Sequence, residues 1–98
     1  MLTWVNVRRA FITNVSRMPR YYMHLNDGNG SLEDDEGQEL AGDDAAHSVA
    51  ISAARDIIAS DVREGRLDLA SFVEVEDERH QPLFTIRFAD AVRLTGRQ

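Results

Sequence analysis

Cysteine and lysine are both missing from this 98-residue chain, and proline occurs only twice. Without cysteine there are no disulfide staples, no thiolate metal ligands and no cysteine nucleophile. A chain this short, lacking staples, has to rest on one modest hydrophobic core or on a partner subunit. No apolar run approaches the ~18 residues of a membrane span. Near the N-terminus, Arg8 and Arg9 interrupt the one stretch that would otherwise resemble a secretory signal, so a cytoplasmic location is expected. With lysine absent, every basic residue is arginine. Arginine codons are mostly GC-rich, which points to a GC-rich bacterial genome.

What charge there is divides unevenly. Residues 1–17 carry Arg8, Arg9 and Arg17 and no acid, a total of +3. The chain as a whole is at -6, so residues 18–98 hold -9. A body that acidic repels phosphate backbones, and no nucleic-acid surface is expected on it. The arm has two readings: a basic amphipathic segment for a polyanion or membrane surface, or an extension that is either a start-site artefact or a poorly ordered terminus. Met18-Pro19-Arg20-Tyr21-Tyr22-Met23-His24-Leu25 looks like a second beginning. The expected organisation is a basic extension over 1–17, one domain over 18–92 and a tail over 93–98.

Hydrophobic periodicity gives the elements. Arg20 to Leu25 alternates, with Tyr21, Met23 and Leu25 to one side and Arg20, Tyr22 and His24 to the other, as in a strand with one buried face. Asn26-Asp27-Gly28-Asn29-Gly30 is a turn cluster, and Gln38 to Leu40 reads as a brief second strand. After Gly42, Asp43 or Asp44 is expected to cap a helix whose apolar face is Ala46, Val49, Ala50, Ala53, Ile57, Ile58 and Val62. Gly65 suits its C-terminal end. Phe72 to Glu76 and Pro82 to Phe88 alternate around the polar loop Asp77 to Gln81 and read as a hairpin, with a last helical turn over Ala89 to Val92. The expected fold is α+β: a small, mostly antiparallel sheet of three to four strands with one long helix on one face, in the order β-(β)-α-β-β.

Several of these segments carry a resemblance. The Met18–Leu25 octapeptide is followed by Asp27-Gly28, then by Asp34-x-Glu36-Gly37-x-Glu39-Leu40. Ala45-Ala46 opens the helix, which contains Ala53-Ala54-Arg55 and Asp61. Gly65-Arg66-Leu67-Asp68 and a hairpin ending Phe88-x-Asp90-Ala91-Val92 complete the set. In this order the motifs resemble a bacterial family of unknown function, number 6894, common in alphaproteobacteria. The resemblance covers residues 18 to about 92 and carries no assigned catalytic residues. Element order alone is also similar to antitoxins of the HicB type.

The chemistry is sparse. No serine sits in a nucleophile elbow, and no glycine-rich phosphate loop precedes a helix. Asp27, Asn29, Ser31 and Glu33 are spaced like the start of a calcium loop, but Leu32 and Gln38 stand where Gly and Glu are needed. His24, His47 and His80 lie on different elements, so a metal site would need tertiary convergence. No catalytic residue, metal ligand or cofactor is therefore assigned. Two interaction candidates remain: the outer strand face of Arg20, Tyr22 and His24, and the acidic loop of Asp27, Glu33, Asp34, Asp35 and Glu36. The reading is a non-enzymatic interaction or regulatory module, a homodimer or bound to another protein. The alternative is an antitoxin-like partner of a basic toxin or nuclease, with a small metal-dependent enzyme third.

Overall fold

Alternation and turn chemistry produce the expected layers. The computed structural model describes residues 18–96; the basic extension, and the arm readings attached to it, lie outside the described residues. The elements are β1 (Arg20–Asp27), β2 (Gly30–Leu32), β3 (Gln38–Glu39), α1 (Asp43–Arg63), β4 (Phe72–Glu76), β5 (Pro82–Arg87) and α2 (Phe88–Ala91). The fold is α+β. All strand pairs are antiparallel, in the order β2-β1-β4-β5, with β3 also paired to β1.

Among the described residues five strands form, one more than the sequence predicts, because the turn cluster is shorter than its composition suggests. Asp27 pairs with Gly30, so Gly28 and Asn29 make a two-residue hairpin loop, and Gly30-Ser31-Leu32 becomes a strand. The Asp27 carboxylate accepts from the Asn29 N–H at 2.7 Å inside that turn. β2 has all three residues exposed, so it lacks the buried alternation that marks a strand.

The inner sheet face is built by register. Met23 pairs with Val75 and Leu25 with Val73; Val73 then pairs with Ile86 and Val75 with Phe84. Tyr21, Val73, Val75, Ile86 and Phe88 are buried there against α1. The helix meets the sheet along Ala46, Ala50, Ala54 and Ile58, spaced four apart. This corrects the expected face: Ala54 lies at its centre, while Val62 is 53% exposed. Three alanines with no exposed surface let the helix axis come close to the sheet, and the stripe follows that contact line.

The helix ends differ from each other. Gly65, at φ +85°, closes the C-terminus. The Arg66 N–H bonds the Asp61 carbonyl at 2.8 Å and the Gly65 N–H the Val62 carbonyl at 2.9 Å, which is a Schellman motif. At the N-terminus, neither aspartate caps through its side chain. Gly42 holds the cap position, and Asp43 instead accepts the Tyr21 hydroxyl proton at 2.7 Å. A buried phenol needs a partner more than a solvated helix end does. Phe88 leaves the strand and opens α2, which Arg55 ties to α1 by donating to the Ala91 carbonyl at 2.7 Å.

Candidate functional site

Away from α1, the same alternation places Tyr22 opposite Glu76 and His24 opposite Glu74 on the outer sheet face. Both β1 and β4 are central strands, so these side chains stand on a rigid floor. The segment Glu33–Gly37, between β2 and β3, arches over part of that face.

Asp34 holds the arch. Between Leu25 and Tyr21 the edge of β1 has no strand partner among the described residues, because β2 ends at Leu32 and β3 begins at Gln38. One Asp34 oxygen fills the gap, accepting the Met23 N–H at 3.0 Å. Its other oxygen accepts the Gly37 N–H at 2.9 Å and the Glu36 N–H at 3.3 Å. Burial works against ionisation of this carboxyl, but the three backbone donors outweigh it and hold Asp34 below the ordinary aspartate range. Gly37 is required beneath it: at φ +67°, a Cβ there would stand 2.7 Å from the Tyr21 carbonyl and 2.9 Å from the Tyr22 ring.

His24 sits under the arch, 7% exposed. Its Nε2 is 2.8 Å from Glu76 Oε1. Its Nδ1 faces two groups that demand opposite protonation. The Asp34 N–H donates to it at 3.0 Å, while Glu33 Oε2, 2.7 Å away, can only accept. The tautomer with a proton on Nε2 satisfies Asp34 and Glu76; a proton on Nδ1 satisfies Glu33. Burial lowers the pKa of this imidazole, but the Glu76 hydrogen bond and the charges of Glu76, Glu33 and Asp34 exceed that effect and raise it.

His80 reaches the same carboxylate from the β4–β5 loop. Its Nδ1 is 3.1 Å from Glu76 Oε1, and its ring stacks on Tyr22 with centroids 4.3 Å apart. Its backbone has φ +62°, among the described residues the one non-glycine position with positive φ. Asp77 fixes that turn: its carboxylate accepts the Arg79 and Gln81 N–H groups at 2.8 and 2.9 Å, and its carbonyl accepts the His80 N–H at 2.9 Å. The hydrogen bonds from His24 and then His80 hold Glu76 below the ordinary glutamate range.

The residues expected from the sequence are thus dispersed in role. Arg20 is taken up in bracing the arch, donating to the Glu36 carbonyl at 2.7 Å and to Glu39 at 3.4 Å. Tyr22 is half-buried against His80, and His24 is covered. In the acidic loop, Asp27 serves the β1–β2 turn, Asp34 the arch and Glu33 the imidazole, while Asp35 and Glu36 are exposed. Sequence reasoning did not find Glu76 or the convergence of His80 with His24. Those residues lie 52 and 56 positions from His24, and only the β1–β4 register joins them.

The family model described as a domain of unknown function (DUF6894) matches residues 20–89. No curated protein and no solved structure matches the chain. The match spans every element from β1 into the start of α2, including all of His24, Glu33, Asp34, Glu76 and His80.

Proposed function

This chain belongs to the DUF6894 family, a domain of unknown function, and from that premise we propose that it is a small non-enzymatic interaction or regulatory module of the cytoplasm that works as a homodimer. The observation that carries this reading is the outer edge of β5. Among the described residues β5 ends the sheet order; it is six residues long and contains no acid to repel a second copy. Leu83 on it is 38% exposed. An antiparallel edge of that length is a template for strand addition, and a two-fold pairing of β5 with its copy extends the sheet across both protomers. A hollow of about 510 Å³ lies elsewhere, lined by Asp27, Asn29, Asp61, Arg66, Asp68 and Ser71.

Size-exclusion chromatography with light scattering at micromolar concentration tests the reading. Twice the chain mass of 11.0 kDa is expected, and Leu83→Lys should return the monomer. A wild-type mass of 11.0 kDa would remove the homodimer. A second reading, an antitoxin-like module for a basic toxin or nuclease, is favoured by the exposed carboxylates of Glu33, Asp35 and Glu36 on the arch.

A further inference from the structure

We propose that His24, Glu76 and His80 form a binding site for one divalent transition-metal ion of the zinc type, with Glu33 orienting His24 from behind. The proposal is independent of the dimer. One donor atom from each of the three residues lies within 4.8 Å of the others. Two imidazoles and a carboxylate are a donor set that suits zinc, nickel, copper or iron over calcium or magnesium. Zinc binds such nitrogens and oxygens at about 2.0–2.2 Å, which in a tetrahedron separates ligand atoms by roughly 3.3 Å. The present contacts to Glu76 Oε1, 2.8 and 3.1 Å, are hydrogen bonds of nearly that span. An ion therefore takes the place of the two bridging protons, and each neutral imidazole then carries its one ring proton on the nitrogen turned away from the ion.

Three further observations fit a site built to hold its ligands. His24 can bind a metal through Nε2 only if its ring proton is on Nδ1, and Glu33 Oε2 stands 2.7 Å from that atom to accept it, the Asp34 N–H giving up its bond to the same nitrogen. A carboxylate behind a ligating imidazole is the usual outer partner at such centres. His80 is aimed by its left-handed backbone, by the Asp77 clasp and by the Tyr22 ring. His24 is fixed on a central strand, while the His80 side chain remains 59% exposed, so the fourth position opens to water.

The test is isothermal titration of the full, tag-free chain with zinc chloride alone, supported by the visible absorption of the cobalt(II) form. One ion per chain is expected. His80→Gly keeps the positive φ and lies on the surface, so it tests the site without unfolding it. It should weaken binding at least tenfold, and Glu33→Gln should weaken it roughly 10- to 100-fold as loss of an outer partner does. His47→Ala, at an exposed position of α1 beside Phe84 and on the other side of the sheet from the cluster, should leave it unchanged. Absence of one-to-one binding by the wild type, or a loss below tenfold in a folded His80→Gly variant, would overturn the site.

Discussion

Tyr21 couples the core to the start of α1. Its ring is 2% exposed within the core, and its hydroxyl donates to Asp43 at the start of the helix. Burial first, then the Asp43 hydrogen bond and the nearby charges of Asp43, Glu78 and Asp77, raise its pKa to about 12. The unfolded phenol ionises near its ordinary value of about 10. Above that pH the unfolded chain gives up a proton that the folded chain keeps, so stability falls as pH rises towards 12. The loss should total about 2–3 kcal/mol, because each tenfold difference in proton affinity between the two states is worth roughly 1.4 kcal/mol. Tyr21→Phe should cost about 1 kcal/mol at neutral pH through the lost hydrogen bond, and should flatten the alkaline limb. Urea denaturation at neutral pH and near pH 11 reads both effects. An equally steep alkaline loss in the variant would assign it to other groups. The alternation of the sequence placed Tyr21 inward correctly; its choice of Asp43 over a helix-capping role for that aspartate was hidden, because no local pattern shows which distant hydroxyl a carboxylate will meet.

At the scale of elements, legibility follows how local the cause is. β1, α1 and the β4–β5 hairpin announce themselves through period and turn residues, and β3 through its position after Gly37. β2 did not, since an exposed three-residue strand has no buried face to pattern it. The helix face was displaced because the alanine line is selected by closeness to the sheet and not by hydropathy, under which Val62 outranks Ala54. The acidic loop reads from sequence as an interaction candidate, yet one of its members works as a backbone surrogate. Asp34 supplies to Met23 the acceptor that a missing strand residue would have supplied, and it closes the arch over His24. Asp34→Ala should therefore leave the half-buried Met23 N–H without a partner and cost about 2 kcal/mol, in the range for orphaned donors. Amide exchange at Met23 and Gly37 should accelerate together. Unchanged urea stability, with Met23 still protected, would show that the arch does not depend on this carboxylate. The His24–Glu76–His80 convergence was out of reach for the same reason in larger form: a one-residue change of register between β1 and β4 would send Glu76 to the core side.

For the whole molecule, the sign of the charge makes self-pairing and docking to a basic partner separable. Each chain carries -6, so two copies repel through solvent even though β5 itself holds Arg87 and no acid. Salt screens that repulsion, the screening length shrinking from about 30 Å at 0.01 M to about 8 Å at 0.15 M. Because the edge contact is made by backbone and apolar groups, screening takes little from the attraction. A β5–β5 dimer should hence tighten with added salt, its dissociation constant falling a few-fold across that range. Three other outcomes are distinct. A basic toxin or nuclease seated on the acidic body would be held by opposite charges and released by salt. A dimer in which the +3 segment of residues 1–17 engaged the -9 remainder of its partner would also weaken as salt rises. A mass that stays at 11.0 kDa at every salt concentration would leave the edge unpaired. Sedimentation equilibrium at low and physiological ionic strength measures the sign directly, and a dimer that loosens with salt would move the interface from β5 to the charged surfaces.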